Sequence, residues 1–123
     1  MNIIMDNRAV NFVDENNVLL GYELVQSCCE HAGWFIADRP DEWLAETFKQ
    51  ESQSLPGWVF DAGYCESFNR SPETDDGGGA TRFRITCGDQ QRFIVLYNIQ
   101  NGYYSHGFKF TSGDSTIIME GEL

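Results

Sequence analysis

The strongest constraint on this chain is a pair of runs near its end joined by Asn101-Gly102. Phe93 to Ile99 is apolar at nearly every position, as a central strand is, and Tyr103 to Phe110 follows a dipeptide that tolerates positive φ at both places. A type I′ turn there matches the twist of the strands it joins. The two runs are therefore expected to pair antiparallel, with Gln100 facing Tyr103 and Ile99 facing Tyr104. Upstream, Phe83, Ile85 and Cys87 alternate with Arg82, Arg84 and Thr86, the pattern of a strand with one wet face, and Gly88-Asp-Gln-Gln91 turns the chain. Downstream, Ser112-Gly-Asp-Ser115 leads into a last strand, Thr116 to Glu120. Residues 81 to 120 thus predict a continuous four-stranded antiparallel meander with Phe93 to Ile99 in its interior.

Earlier in the chain the same period recurs in shorter pieces. Ile3 to Met5 and Val10 to Val13 read as strands around the polar Asp6-Asn7-Arg8. Val18, Leu20, Tyr22 and Leu24 share one strand face, opposed by Leu19, Gly21, Glu23 and Val25, with Asn16-Asn17 supplying the turn ahead of them. Gly33 to Ala37 is apolar on both faces, as in a strand inside a sheet or covered on both sides, and is expected to form a hairpin with the 18–25 run. Asp38-Arg-Pro-Asp-Glu-Trp43 has proline and carboxylates where a helix begins, predicting about three helical turns. Trp43, Leu44 and Phe48 would cap a sheet face, and Pro56-Gly57 marks a stop. Trp58 to Phe68 reads as an irregular or bulged strand bending at Gly63.

Arg70 to Gly79 carries three acids ahead of its glycines and no lysine after them, which argues for a mobile loop and against a phosphate cradle. The expected fold class is α+β: a mainly antiparallel sheet with one main helix packed on it, in a single domain spanning 1–123.

Nineteen acidic against eight basic side chains give a formal charge of -11, which repels a phosphate backbone and argues against direct nucleic-acid binding. Residues 1–79 hold 15 acids and 4 bases, while residues 80–123 hold 4 of each. No run of about 18 apolar residues is present, and the start lacks a basic segment, so a cytoplasmic protein with no membrane association is expected. In that compartment Cys28, Cys29, Cys65 and Cys87 are expected as reduced thiols, most simply read as small buried hydrophobes.

Two motifs together, Tyr22-x-Leu24-x-Gln26-x-Cys28-Cys29-Glu30 and Asn101-Gly102-Tyr103-Tyr104-Ser105, resemble those of an uncharacterised small domain family of bacteriophages and bacteria. Members of that family typically read Gln-Asp-Cys-Cys-Glu followed by a Ser-Asn-Gly-Tyr-Tyr-Ser hairpin. This chain departs at Ser27, where the family has aspartate, and at Gln100, where it has serine. The resemblance implies an α+β domain carried on a mobile genetic element, and it implies no activity. It nominates Gln26, Cys28, Cys29, Glu30, Tyr103 and Tyr104.

Cys28, Cys29 and His31, with Cys65, Cys87 or His106 as a fourth ligand, have the donor types of a zinc site. The spacing argues against one, since adjacent residues of an extended chain point to opposite faces and structural sites separate their cysteines by two to four residues. A thiol nucleophile paired with His31 or His106 is opposed by the nearby carboxylates, which raise a thiol pKa. His106 shares its strand face with Tyr104, Phe108 and Phe110, where an imidazole bonded within the core is the simpler reading. One of Tyr103 and Tyr104 must face away from that core.

No catalytic residue, metal or cofactor is therefore assigned. The chain is expected to be a non-enzymatic protein-binding module, monomer or homodimer, that engages a basic partner surface with its carboxylates standing in for phosphates. The competing class is a small-molecule or metal-binding protein, or a cysteine-dependent enzyme. Its site would join the turn of Cys28, Cys29, Glu30 and His31, with Gln26, to the strand of Tyr103, Tyr104 and His106. Acidity that serves solubility alone is the plainest alternative.

Overall fold

Nine strands run in chain order: β1 (Asn2–Met5), β2 (Ala9–Val13), β3 (Leu19–Glu23), β4 (His31–Ala37), β5 (Val59–Asn69), β6 (Gly78–Cys87), β7 (Gln90–Ile99), β8 (Gly107–Thr111) and β9 (Ile117–Glu122). The computed structural model describes residues 1–25, 31–39, 54–69, 78–99 and 106–123, with backbone alone at 31, 67–69, 78 and 99. A first sheet has the order β1-β2-β3-β8-β9 and a second the order β4-β7-β6-β5, all neighbours antiparallel.

Alternation decides which side chains go inward. Val10, Phe12, Leu20, Tyr22, Phe108 and Phe110 of the first sheet are buried in one cluster with Trp34, Phe60, Phe83, Ile85, Ile94 and Leu96 of the second. Aromatic rings meet edge-on across the gap: Phe12 with Trp34 at 5.1 Å, Phe60 with Phe110 at 5.1 Å, and Phe83 with Phe108 at 5.9 Å. Such contacts add about 0.5–1.5 kcal/mol each to the area they bury. The Tyr22 hydroxyl also crosses, donating to the Tyr97 carbonyl at 2.8 Å. Phe35, Ala37, Ala80, Phe93, Val95 and Tyr97 form a second buried cluster on the other face of the second sheet, which accounts for the unbroken apolar run of β7.

This architecture corrects the α+β expectation. The described residues contain no helix; they form two antiparallel sheets that bury one face of each against the other. Of the helix expected from Asp38 onward, residues 40–53 lie outside the described residues. Among the described residues, no helix is long and apolar enough to cross a membrane.

The four-stranded meander is corrected as well. β6 and β7 pair through the turn at Gly88-Asp89, and β7 is interior as expected. Both edges of β7 are taken, however, so Ile99 pairs with His31 and with Gly78, and not with Tyr104. β8 joins β3 and β9 in the other sheet. The hairpin dipeptide Asn101-Gly102 lies outside the described residues. Likewise the 18–25 and 33–37 runs do not form a hairpin, since β3 and β4 belong to different sheets, and β4 is an edge strand buried on both faces. Residues 70–77 of the acidic and Gly-rich segment are outside the description, while Gly78 and Gly79 begin β6. The irregularity expected in β5 is present between Phe60 and Cys65.

Two hairpin turns of the same form lie side by side, because Leu19 pairs with Thr111. In one, Asn17 has φ 59°, with Asn17 N donating to the Asp14 carbonyl at 3.1 Å; in the other, Ser115 has φ 68°, with Ser115 N donating to the Ser112 carbonyl at 2.9 Å. A left-handed residue after a type I turn closes a three-residue loop in the sense that strand twist requires. A Cβ at Gly113 would run into the Asn16 carbonyl oxygen, so the second turn packs against the backbone of the first.

Asp14 does more than start its turn. Its Oδ1 accepts from Asn16 N and Val18 N, both at 2.9 Å, and its Oδ2 accepts from Phe60 N of β5 at 2.9 Å. A buried carboxylate thus bonds amides of both sheets. Asp14→Ala is expected to lower unfolding free energy by about 3 kcal/mol or more, because it orphans three amides. Asp14→Asn keeps the turn but presents an NH₂ to Phe60 N–H, and a smaller loss of about 1–3 kcal/mol is expected; urea titrations of both variants check the order.

In the second turn the Ser112 hydroxyl, then Thr116, hold the Asp114 carboxyl down to about 2. A depressed carboxylate contributes stability above its unfolded pKa and loses it as pH falls. The 112–116 turn should therefore loosen between about pH 4 and pH 2, visible as amide shift changes at Ser115 and Thr116 that Asp114→Asn abolishes.

Candidate functional site

A groove of about 530 Å³ runs across the first sheet, on the face turned away from the second sheet. Its origin lies in alternation. Where Phe12, Leu20, Tyr22, Phe108 and Phe110 point inward, Asn11, Leu19, Gly21, Glu23, Gly107 and Lys109 must point outward. Two of these are glycine, so the floor at Gly21 and Gly107 is bare backbone. A Cβ at Gly21 would stand 3.0 Å from Asn11 Oδ1, and one at Gly107 would stand 3.5 Å from the Glu23 carboxyl. Glu120, paired with Lys109, and Glu122, paired with Gly107, complete the wall from β9.

Three carboxylates, Glu23, Glu120 and Glu122, thus share this groove with one ammonium, Lys109, and one amide, Asn11. Glu23 is held in place from two sides. Its Oε2 accepts from Gly107 N at 3.1 Å, and its carbonyl oxygen lies 2.8 Å from His106 Nδ1. Because a carbonyl only accepts, Nδ1 carries the proton in this contact.

Of the residues nominated for a site joining the two motifs, His106 is the one whose side chain the structure describes. It is buried behind the groove, its ring 6.1 Å from that of Tyr22, with its backbone paired to Leu123 through bonds of 2.8 and 2.9 Å. It positions the backbone of Glu23 and does not line the groove. For His31 only the backbone is described, at the start of β4. Gln26, Cys28, Cys29, Glu30, Tyr103 and Tyr104 lie outside the described residues, and with them the proposed meeting of the two motifs.

Other charged groups are engaged elsewhere. On the second sheet Arg84 pairs with Asp61, which holds that carboxyl below the usual range, and its guanidinium lies 4.7 Å over the Tyr64 ring. Arg92 contacts Asp38 at 3.2 Å and lies 5.3 Å over the Trp58 ring. Among the described residues no group of three or more His, Cys, Asp or Glu could hold a metal ion, and no thiol or imidazole lines the groove. The lining can bind cationic and hydrogen-bond-donating groups; it holds no nucleophile-base pair.

The groove residues were not nominated from sequence, although one signal was present: glycine at Gly21 and Gly107 on the wet faces of otherwise bulky strands. Their adjacency was not readable, because it depends on β3 pairing with β8. Compared with protein-family models, curated proteins and solved structures, the chain gives no match. The resemblance to the phage and bacterial domain family therefore stands on its two motifs alone.

Cys65, offered by sequence as a candidate fourth metal ligand, packs with its Sγ 2.8 Å from Met119 Sδ, and burial pushes its thiol up to about 11. At pH 8 its alkylation by iodoacetamide is expected to be about a hundredfold slower than in the unfolded chain, where the thiol has its ordinary pKa. Mass-spectrometric mapping with and without urea measures the two rates at Cys65 itself.

Proposed function

We propose that this protein is a non-enzymatic binding module of the cytoplasm that engages a basic protein segment through the groove of the first sheet. One observation carries the reading: Glu23, Glu120 and Glu122 converge with a single lysine on a concave surface whose floor is bare backbone. Carboxylates on a low-dielectric wall attract cationic groups and speed their encounter, and the chain's charge of -11 extends that field beyond the groove. The described lining consists of carboxylates, an ammonium, an amide and bare backbone, groups suited to charge pairing and hydrogen bonding.

The test is fluorescence anisotropy with an eight-residue peptide alternating lysine and valine, and a glutamate–valine peptide as control. The lysine peptide is expected to bind at about 50 mM salt and weaken steeply towards about 500 mM, as screening shortens. Glu23→Gln, which can still accept from Gly107 N, and Glu120→Gln are each expected to weaken it about threefold, and together about tenfold. Equal affinity for the glutamate peptide, or binding unmoved by salt and by both substitutions, would count against the reading.

A further inference from the structure

We infer that the basic segment binds as an added strand on the outer edge of β9 at Glu120, a mode of recognition that rests on the groove reading above and specifies it. The four edge strands differ in what they offer. β1 is bridged at Asn2 to Ser54, β5 shifts register in its middle between Phe60 and Cys65, and the described side chains of β4 are apolar and mostly buried, whereas the register shift of β9 lies near its start, between Ile117 and Met119, and leaves Met119 to Glu122 in register. Among the described residues β9 pairs with β8 alone, and it carries neither lysine nor proline, the usual guards of an edge. Ile117 and Ile118 on it are 47% and 37% exposed, large for isoleucines on a sheet edge.

The bonding pattern says which main-chain groups are on offer. His106 and Leu123 exchange both N–H···O bonds, so by antiparallel alternation Phe108 with Gly121 and Phe110 with Met119 are the next exchanging pairs, and Lys109 with Glu120 is the non-exchanging pair between those two. The N–H and C=O of Glu120 therefore point away from β8, towards the open edge, while its carboxylate lies over the groove. A strand docked there would exchange main-chain bonds with Glu120, and its residue opposite Glu120 would project on the same face. A lysine or arginine at that place meets Glu120 directly. A second one, two positions along and about 7 Å away, reaches the carboxylates further across the groove.

Charge selects the occupant. A second copy pairing β9 with β9 would set Glu120 and Glu122 against their own like on one face, between molecules of charge -11 each. A strand with basic residues at alternate positions has the complementary pattern.

Two methylated forms of the lysine–valine peptide test this on the unaltered protein. With lysines opposite Glu120, N-methylation of the lysines removes the donors that face β9 and is expected to weaken binding about tenfold or more. N-methylation of the valines is expected to change it less than about threefold. Saturating peptide should also slow hydrogen exchange at the Glu120 amide about tenfold or more. Glu120→Pro should lose more affinity than Glu120→Gln, with a thermal melt to confirm folding, since proline removes an N–H that only an added strand would use. If the peptide binds with the expected salt dependence but both methylated forms bind equally and Glu120 exchange does not change, the strand mode is overturned and the groove reading survives. If no basic peptide binds at low salt, both fall. A concentration-dependent dimer in sedimentation that Glu120→Pro abolishes would assign the edge to a second copy and overturn the inference.

Discussion

The mutual orientation of the two sheets depends on one buried carboxylate. Packing of apolar faces sets the spacing between sheets, but it is non-directional and leaves sliding and rotation cheap. Asp14 supplies direction, because its two oxygens are divided between the β2–β3 turn and the first turn-facing amide of β5. Desolvating a carboxylate is costly, and three amide donors are what offset it. At the other end of β3, the bond from the Tyr22 hydroxyl to Tyr97 performs a similar task with a neutral group. Between these two fixed points lies the part of β3 that carries Gly21, so the floor of the groove is tied to the second sheet on both sides.

Much of the strand content could be read from the residues. The two-residue period put Leu20, Tyr22 and Leu24 on one shared face and Phe83 and Ile85 opposite a wet face, and all five are buried. The turn at Asn16-Asn17 and the bulge region of β5 were also legible, since positive φ and glycine leave local marks. What the period cannot say is which strand lies beside which. Ile99 was assigned to Tyr104 because a hairpin dipeptide followed it, yet β4 had already taken that edge of β7 from far upstream. The helix was inferred as the cover for a sheet face, whereas a chain with enough half-buried strands can cover its faces with another sheet.

The same limit explains the candidate site. Attention in the sequence went to thiols, imidazoles and tyrosines, because these residue types carry distinctive chemistry. The groove is made of glycines and glutamates at ordinary wet-face positions, which acquire meaning only when two remote strands meet. His106 shows how the two views connect: nominated for its chemistry, it acts through its hydrogen bond to the Glu23 carbonyl, behind the surface it helps to shape. Its role is positional, and the residues it positions are the ones exposed to a partner.

The first sheet is split in sequence, with β1 to β3 at one end of the chain, β8 and β9 at the other, and the whole second sheet between them. The contacts that close it, such as Glu23 with His106, join residues 83 apart. During synthesis the β1–β2–β3 half must therefore wait, with one edge of β3 open, until more than 80 further residues have emerged. Only when β8 arrives do Gly107 and Lys109 come beside Gly21, so the groove forms last. A nascent or truncated chain would expose the β3 edge in place of a finished binding surface. Its vulnerability to misassembly is then greatest just before it becomes able to bind a partner.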